Sequence, residues 1–162
     1  MTMADIIFYE KPGCAGNTRQ KRLLIQAGHR LEVRNLLTEP WTAERLQAFF
    51  GDLPVAKWFN LAAPRVKSGE VQPAALTAEQ ALRLMLNEPL LIRRPLMERH
   101  QAGEPLRMAG FDITTVNAWI GPGHGVLTSA QSLDGCADSQ PGGLLNQCKY
   151  GEPPLGPARL PR

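Results

Sequence analysis

Cys14 is the residue of this sequence with the clearest chemical potential. It follows a short apolar run and the turn residues Pro12 and Gly13, and a helix is expected to begin just after it. A thiol there lies near the positive end of the helix dipole, beside backbone N–H groups with no partner inside the helix. Both effects favour the thiolate, which is the reactive form. The alternative is a small buried cysteine that only packs, and this stretch alone does not decide between the two.

Arg94 and Arg107 are the candidate partners of this thiol. Arg94 and Pro95 lead into a predicted third strand, and Arg107 lies on a predicted fourth strand that returns as a hairpin. Ligands of α/β sheets bind beyond the carboxyl ends of the parallel strands, where Cys14 is expected to lie. Two guanidiniums there would favour the thiolate and could hold an oxyanion. A solvated edge or a surface ion pair is the alternative role for the arginines.

The elements that must position these residues follow from the apolar pattern. Residues 6–9 predict a buried strand, residues 16–27 a helix closed by Gly28, and residues 31–36 an alternating second strand. Strand, helix and strand in this order predict a βαβ unit with parallel strands.

A helical insert is predicted over about residues 41–88. Thr42 is expected to cap its first helix, and the Thr77 to Gln80 capping box opens another. Residues 55–61 predict a short helix and residues 64–73 a loop.

The domain organisation is predicted as a folded part over residues 1–119 and a tail over residues 120–162. Asp112 is expected to cap the last helix of the folded part. Residues 121–162 then contain eight Gly and six Pro in 42 residues. Such a composition predicts a disordered or loosely attached tail.

Composition limits the function further. The chain has 162 residues and a formal charge of +3, which is too mild to indicate nucleic-acid binding. No run of about 18 apolar residues and no secretory signal is seen, so we expect a cytoplasmic protein without a membrane span. Three cysteines do not make a disulfide framework. They also lack metal-ligand spacing with the histidines, so no metal site is expected. The residues concerned are Cys14, Cys136, Cys148, His29, His100 and His124.

In order and spacing, these features resemble the ArsC/Spx/YffB family, which includes arsenate reductases with a thioredoxin-like fold. The resemblance covers about residues 4–118, and residues 8–17 are most similar to the nitrogenase-associated, NifO-like subgroup. It implies an α/β fold with a βαβ unit and a β-hairpin in one mixed four-stranded sheet. The residues that carry it are Tyr9, Pro12, Cys14, Arg19, Ile92, Arg94, Pro95 and Arg107.

The resemblance also implies roles for individual residues. Cys14 matches the nucleophile, Arg94 and Arg107 match anion-binding arginines, and Pro95 matches a proline that is usually cis and lies against the cysteine. Gly13, Asn17 and Arg19 are expected to support this site. No bound cofactor is implied, and glutathione is the candidate co-substrate.

The sequence departs from the reductases at three positions. Asn60 stands where they have a third arginine, and Glu10 where they have a histidine. A carboxylate near Cys14 would disfavour the thiolate and repel arsenate. Asn17 replaces the second cysteine of a C-x-x-C motif, so an external thiol such as glutathione, or else Cys136 or Cys148 of the tail, must resolve any intermediate.

Two functions remain open. The first is a thiol protein associated with nitrogen fixation, a glutaredoxin- or glutathione-dependent reductase of arsenate, molybdate or a related oxyanion. The second is a non-enzymatic accessory or regulatory protein that binds a nitrogenase-related protein partner. Its interface could be aromatic, although the same aromatic residues would also suit the core beneath the insert: Trp41, Phe49, Phe50, Trp58 and Phe59. A third hypothesis is that the fold is intact but the site has lost its activity.

Overall fold

Four strands form one mixed sheet in the computed structural model, which describes residues 2–128. The strands are β1 (Asp5–Glu10), β2 (Arg30–Asn35), β3 (Leu96–His100) and β4 (Leu106–Ala109), in the order β2-β1-β3-β4. β1 pairs with β2 in parallel and with β3 antiparallel, and β3 and β4 form the hairpin. The predicted thioredoxin-like α/β fold with a mixed four-stranded sheet is confirmed.

Five α-helices connect and cover these strands in the described part of the chain. They are α1 (Ala15–Gln26), α2 (Ala43–Phe50), α3 (Pro64–Lys67), α4 (Ala78–Asn87) and α5 (Ile113–Ile120). Short 3₁₀ turns lie at Val55–Lys57, Pro73–Ala75 and Pro89–Leu91. Within residues 2–128, no helix is long and apolar enough to cross a membrane.

The helix ends follow the capping chemistry expected from the sequence. Thr42 accepts a hydrogen bond from the Arg45 N–H, and Asp112 accepts one from the Thr115 N–H. Thr77 and Gln80 form both bonds of the capping box of α4. Gly28, at φ +90°, follows the end of α1 in a conformation that favours glycine.

The sheet has an apolar layer on each face because alternate residues of β1 point to opposite sides. Ile7 and Tyr9 belong to the layer under the insert, whereas Ile6 and Phe8 belong to the layer under α1 and α5. Among the aromatic residues considered for an interface, Trp41 is partly buried. The other four are at most 4% exposed and form the core of the insert: Phe49, Phe50, Trp58 and Phe59.

Two predictions about the insert are corrected. The predicted loop at 64–73 contains α3, which is too short to show an apolar period. The predicted helix at 55–61 is a single 3₁₀ turn at Val55–Lys57. It stops there because Phe59 forms a bridge with Ile92, which pulls the chain into an extended conformation.

The chain continues to pack on the domain for a few residues past the predicted boundary at residue 120. Leu127 is 3% exposed, and its N–H donates to Asn117 Oδ1. The carbonyl oxygen of Gly125 lies 2.8 Å from His29 Nε2. Residues 121–128 therefore pack on the domain, although their Gly and Pro content suggested a loose tail. The rest of the predicted tail, with Cys136 and Cys148, lies outside the described residues.

Candidate functional site

Cys14 is the N-cap residue of α1 and is 2% exposed. Its N–H donates to the Lys11 carbonyl (3.1 Å), and its own carbonyl accepts from the Thr18 N–H (3.0 Å). Gly13, at φ +79°, provides the turn that brings the chain from β1 into the helix. The cysteine side chain makes no capping hydrogen bond, so a thiol occupies the place at the helix N-terminus where a capping oxygen usually lies. Burial fits both a packed and a reactive cysteine.

Asn17 organises the Cys14 loop. Its side chain is fully buried, its Oδ1 accepts from the Lys11 N–H (3.1 Å), and its Nδ2 donates to Gln20 Oε1 (2.8 Å). The residue that replaces the second cysteine of a C-x-x-C motif thus ties the loop to the helix. Its supporting role was predicted from its position, but the hydrogen bonds behind it were not.

Glu10 is paired with Lys21. The two side chains are 15% and 23% exposed, and Oε2 lies 2.7 Å from Nζ. A paired carboxylate acts on its surroundings as a dipole, whose potential falls off faster than that of a single charge. The expected penalty of Glu10 on a thiolate is therefore smaller than the sequence suggested.

The strand register places the Cys14 loop and the Arg94-Pro95 bond at the same edge of the sheet. Tyr9 pairs with Leu96, so the residues that follow β1 and those that precede β3 lie side by side. The Arg94-Pro95 peptide bond is cis, as the resemblance implied. The chain after β4 joins this edge because the Gly110 N–H donates to the Pro95 carbonyl (2.8 Å).

A cavity of about 770 Å³ opens at this edge, and Arg94, Arg107 and Asn60 lie in its wall. We refer to it as the cationic cavity. Arg94 is fully buried, whereas Cys14 and Arg19 are not among the lining residues. The structure thus brings the two predicted arginines together and places Cys14 at the same edge, outside the cavity wall.

Two of these lining residues also have structural roles. Arg107 Nε donates to Glu98 Oε2 (2.7 Å), so the ion pair considered as its alternative role does exist. Asn60 Oδ1 accepts from the Ala62 N–H (3.2 Å), and Nδ2 donates to the Leu90 carbonyl (3.4 Å). Where the reductases have a third arginine, this chain has an amide that holds a turn.

Lys57 and Arg93 line the cavity and were not selected from the sequence. Arg93 Nη1 donates to the Lys57 carbonyl (3.2 Å), and the Arg93 N–H donates to the Trp58 carbonyl (2.9 Å). A side chain at Gly110 would collide with the Arg93 guanidinium, so the glycine makes room for the arginine. The position of Arg93 next to Arg94 was the one feature of the sequence that could have indicated its place in the cavity wall. Nothing in the sequence indicated that Lys57 lies there.

Asp112 is the acidic residue among those that line the cavity. Hydrogen bonds from the Thr115 N–H and hydroxyl hold the pKa of this carboxyl below its usual value. Tyr9, at the end of β1, is different: burial raises the pKa of its hydroxyl, against the opposing effect of the Arg34 guanidinium. Among residues 2–128, no group of three His, Cys, Asp or Glu side chains is placed to hold a metal ion.

Comparison with known proteins identifies a clear sequence relative. No family model matches the chain. The chain is 58% identical over 119 residues to an uncharacterized 15.7 kDa protein in the draG 3′ region of Rhodospirillum rubrum. The match covers 74% of this chain and 80% of the relative.

Solved structures share the fold. An ArsC family related protein from Bacteroides fragilis superposes with a TM-score of 0.60 at 24% identity, over 71% of this chain and 98% of that one. An arsenate reductase from Vibrio cholerae does so with a TM-score of 0.53 at 19% identity, over 65% and 90% of the two chains. At identities this low, the superpositions establish a common fold and nothing more. The predicted ArsC-like architecture is therefore confirmed.

Proposed function

This chain belongs to the same family as the 15.7 kDa protein of the draG 3′ region, and from that premise we propose that it is an ArsC-like thiol oxidoreductase acting through Cys14. The observation that carries the proposal is the shared edge of the sheet. Cys14 at the N-terminus of α1 and the cis Arg94-Pro95 bond lie there together, within an ArsC-type fold. The cytoplasm, where thiols stay reduced, is the compartment that suits this chemistry.

The proposed reaction is a two-electron reduction of an oxyanion by glutathione. Two thiols become one disulfide, and the oxyanion loses one oxygen, which leaves as water with the two thiol protons. Cys14 first displaces one oxygen of the oxyanion, which leaves as water, and its sulfur bonds to the central atom of the oxyanion. The first glutathione then attacks the Cys14 sulfur, which forms a mixed disulfide and leaves the electron pair on the reduced oxyanion. A second glutathione attacks this disulfide, releases the Cys14 thiol and leaves as glutathione disulfide. Since Cys14 is 2% exposed, the reaction requires a local opening of the chain around it.

Arsenate is the first oxyanion to test, because the family that the sequence resembles includes arsenate reductases. Arg94 is the proposed main anion-binding group. Arg107 contributes less, because its ion pair with Glu98 partly neutralises its charge. The association with nitrogen fixation, and molybdate as a substrate, rest on the NifO-like resemblance of residues 8–17.

The test compares the wild type with Cys14→Ser in a glutathione-dependent arsenate reduction assay coupled to glutathione reductase. We expect the variant to lose at least about a hundredfold in rate, since removal of a nucleophile leaves no covalent route. A double variant, Cys136→Ser with Cys148→Ser, is the matched control and keeps its activity if external glutathione resolves the intermediate. Equal rates for the wild type and Cys14→Ser would overturn the proposal.

A second candidate function is a non-enzymatic accessory protein that binds a nitrogenase-related partner. It is favoured by Asn60 in place of an arginine and by the Arg107–Glu98 ion pair, which both reduce the charge available to an oxyanion. A protein partner retained by Cys14→Ser in pull-downs from nitrogen-fixing cells, together with no reductase activity in the wild type, would support this function over the first.

A further inference from the structure

We propose that the outer side of β2, the side away from β1, pairs with the same side of β2 in a second copy of this chain. The two strands run antiparallel, with Val33 on the two-fold axis. Within residues 2–128, β2 has a strand on one side only. Such an edge strand presents backbone N–H and carbonyl groups to which another strand can bond. The other edge strand, β4, has four residues, whereas β2 has six and is the longer template.

The hydrogen bonds to β1 show which backbone groups of β2 face outward. The Arg30 N–H donates to the Ala4 carbonyl (2.9 Å). The Leu36 N–H donates to the Glu10 carbonyl (2.8 Å). Because backbone groups alternate in direction along a strand, the even-numbered residues of β2 bond to β1 and the odd-numbered ones face outward. Val33 is among the latter, and no described residue hydrogen-bonds to its N–H or carbonyl.

The side chains of β2 are divided between the two faces of the sheet. Val33 pairs with Phe8 and so lies on the α1 side, where it is 45% exposed. Glu32 pairs with Ile7 and lies on the side of the insert, as does Arg34. Arg34 Nε donates to Glu32 Oε1 (2.7 Å). A second strand beside β2 would remove the exposed Val33 surface from water.

Charge selects one register for this pairing. Since the outward groups belong to odd-numbered residues, the antiparallel registers that form hydrogen bonds differ by steps of two residues. When Val33 lies opposite its own copy, each Glu32 lies opposite the Arg34 of the other copy. Cross-strand pairs of opposite charge are stabilising, and like charges directly opposite are destabilising. One step to either side, Glu32 faces Glu32 or Arg34 faces Arg34, so the register with Val33 on the axis is preferred.

The four charged groups of this register alternate in sign. Each Glu32 has the Arg34 of its own strand beside it and the Arg34 of the second copy across from it. The existing ion pair therefore does not have to break. Charges on an edge strand usually discourage pairing, but this order of charges is complementary to itself. A contact along six residues is smaller than the roughly 1,200 Å² buried in stable interfaces, so we expect a dissociation constant on the order of 100 μM.

The experiment is analytical ultracentrifugation of the full chain over about 0.02–1 mM protein. A reducing agent is present so that no disulfide joins two chains. We expect a reversible shift from the monomer mass to the dimer mass. Cys14→Ser should behave in the same way, because the inference does not depend on the proposed reductase and can fail or hold without it. A wild type that stays monomeric at the highest concentration would overturn the proposal.

A substitution on the axis tests the location of the interface. Val33→Lys should stay monomeric at every concentration, because it places two ammonium groups opposite each other. Val126→Lys is the matched control, since this valine is 59% exposed outside β2, and it should dimerise like the wild type. Dimerisation of Val33→Lys as strong as that of the wild type would show that another surface is used and that the proposal is wrong.

Two charge variants test the register. Glu32→Arg and Arg34→Glu each place like charges across the strands, so each variant alone should dimerise at least about tenfold more weakly than the wild type. In an equal mixture of the two variants, every pair across the strands again has opposite charges. The mixture should therefore form heterodimers about as tightly as the wild type forms its dimer. The charges within each chain do not change on mixing, so a mixture as monomeric as the separate variants would contradict the proposed pairing.

Discussion

In the Cys14 loop the polar groups bond to one another, whereas in the cationic cavity charged side chains surround an open volume. Asn17 joins the Lys11 N–H to the first turns of α1, and Glu10 is paired with Lys21. Across the same sheet edge, Arg93, Arg94 and Arg107 line the cavity. The thiol is thus held by local contacts, and the arginines proposed to bind anions lie in the wall of a separate cavity.

This difference indicates that thiol chemistry and anion binding can be perturbed separately. The contacts of the loop described above all lie within residues 10–21. The cavity wall depends on chain segments far apart in sequence, joined by the Phe59 to Ile92 bridge and by the Gly110 to Pro95 hydrogen bond. Substitutions on one side should therefore leave the other largely unchanged.

The largest effect is expected for Phe50→Ala in the cavity wall. Phe50 is 1% exposed and its ring stacks on Trp58 at 4.8 Å. The truncation should lower the free energy of unfolding by about 3–5 kcal/mol, measured by urea denaturation. Leu61→Ala, which removes an exposed side chain from the same wall, should cost under about 0.5 kcal/mol. Similar losses for the two variants would show that the wall is not packed as described.

A smaller loss is expected for Asn17→Ala in the Cys14 loop. The change leaves the Lys11 N–H and Gln20 Oε1 without the partner they now have, which should cost about 1–3 kcal/mol. The alkylation rate of Cys14 should change, whereas binding of inorganic phosphate at the cationic cavity should not. Gln26→Ala, on the exposed face of the same helix, is the control. A loss of anion binding in Asn17→Ala would contradict the separation of the two regions.

Lys21→Gln should act only on the thiol. It leaves the Glu10 carboxylate uncompensated, so alkylation of Cys14 at neutral pH should slow. We expect a factor of about 1.4 to 5, which corresponds to a charge interaction of about 0.2–1 kcal/mol between the carboxylate and the thiolate. Adding Glu10→Gln to this variant should restore the rate. If the single and double variants react equally slowly, charge at Glu10 is not the cause.

The smallest effect concerns Asp112, in the cavity lining at the start of α5. Its pKa is lowered in the folded state by bonds from the Thr115 N–H and hydroxyl, so the unfolded state binds the proton more readily. This stabilisation is complete above the unfolded value of 3.8 and is lost as the pH falls through the folded pKa. Between pH 5 and 2, the wild type should therefore lose more stability than Asp112→Asn in denaturant titrations. Parallel curves would contradict the assigned bonds.

Local patterns predicted much of the fold. The βαβ unit and the caps at Thr42, Thr77 and Asp112 followed from short-range signals that the structure preserves. The resemblance supplied the cis bond before Pro95. These features depend on residues a few positions apart, which is where sequence patterns carry the most information.

The cavity and the domain end depend on distant contacts, which explains what the sequence did not reveal. Lys57 joins the cavity because the chain near Phe59 is drawn to Ile92, and nothing periodic signals that bridge. Gly125 looked like part of a loose tail, yet a side chain there would overlap the Ala27 carbonyl. The absence of a side chain allows this close approach. Composition alone does not distinguish a glycine of a loose tail from a glycine that lets the chain pack closely.

The most direct test of the central claim is the intact mass of the protein after reaction with glutathione. The claim is that Cys14 is the thiol through which the oxyanion is reduced. The Cys136→Ser, Cys148→Ser variant, incubated with one equivalent of glutathione and an excess of arsenate, should carry one glutathione on Cys14, since no second glutathione is left to release it. The adduct should be absent without arsenate. An adduct that forms equally without the oxyanion, or none under either condition, would contradict the account.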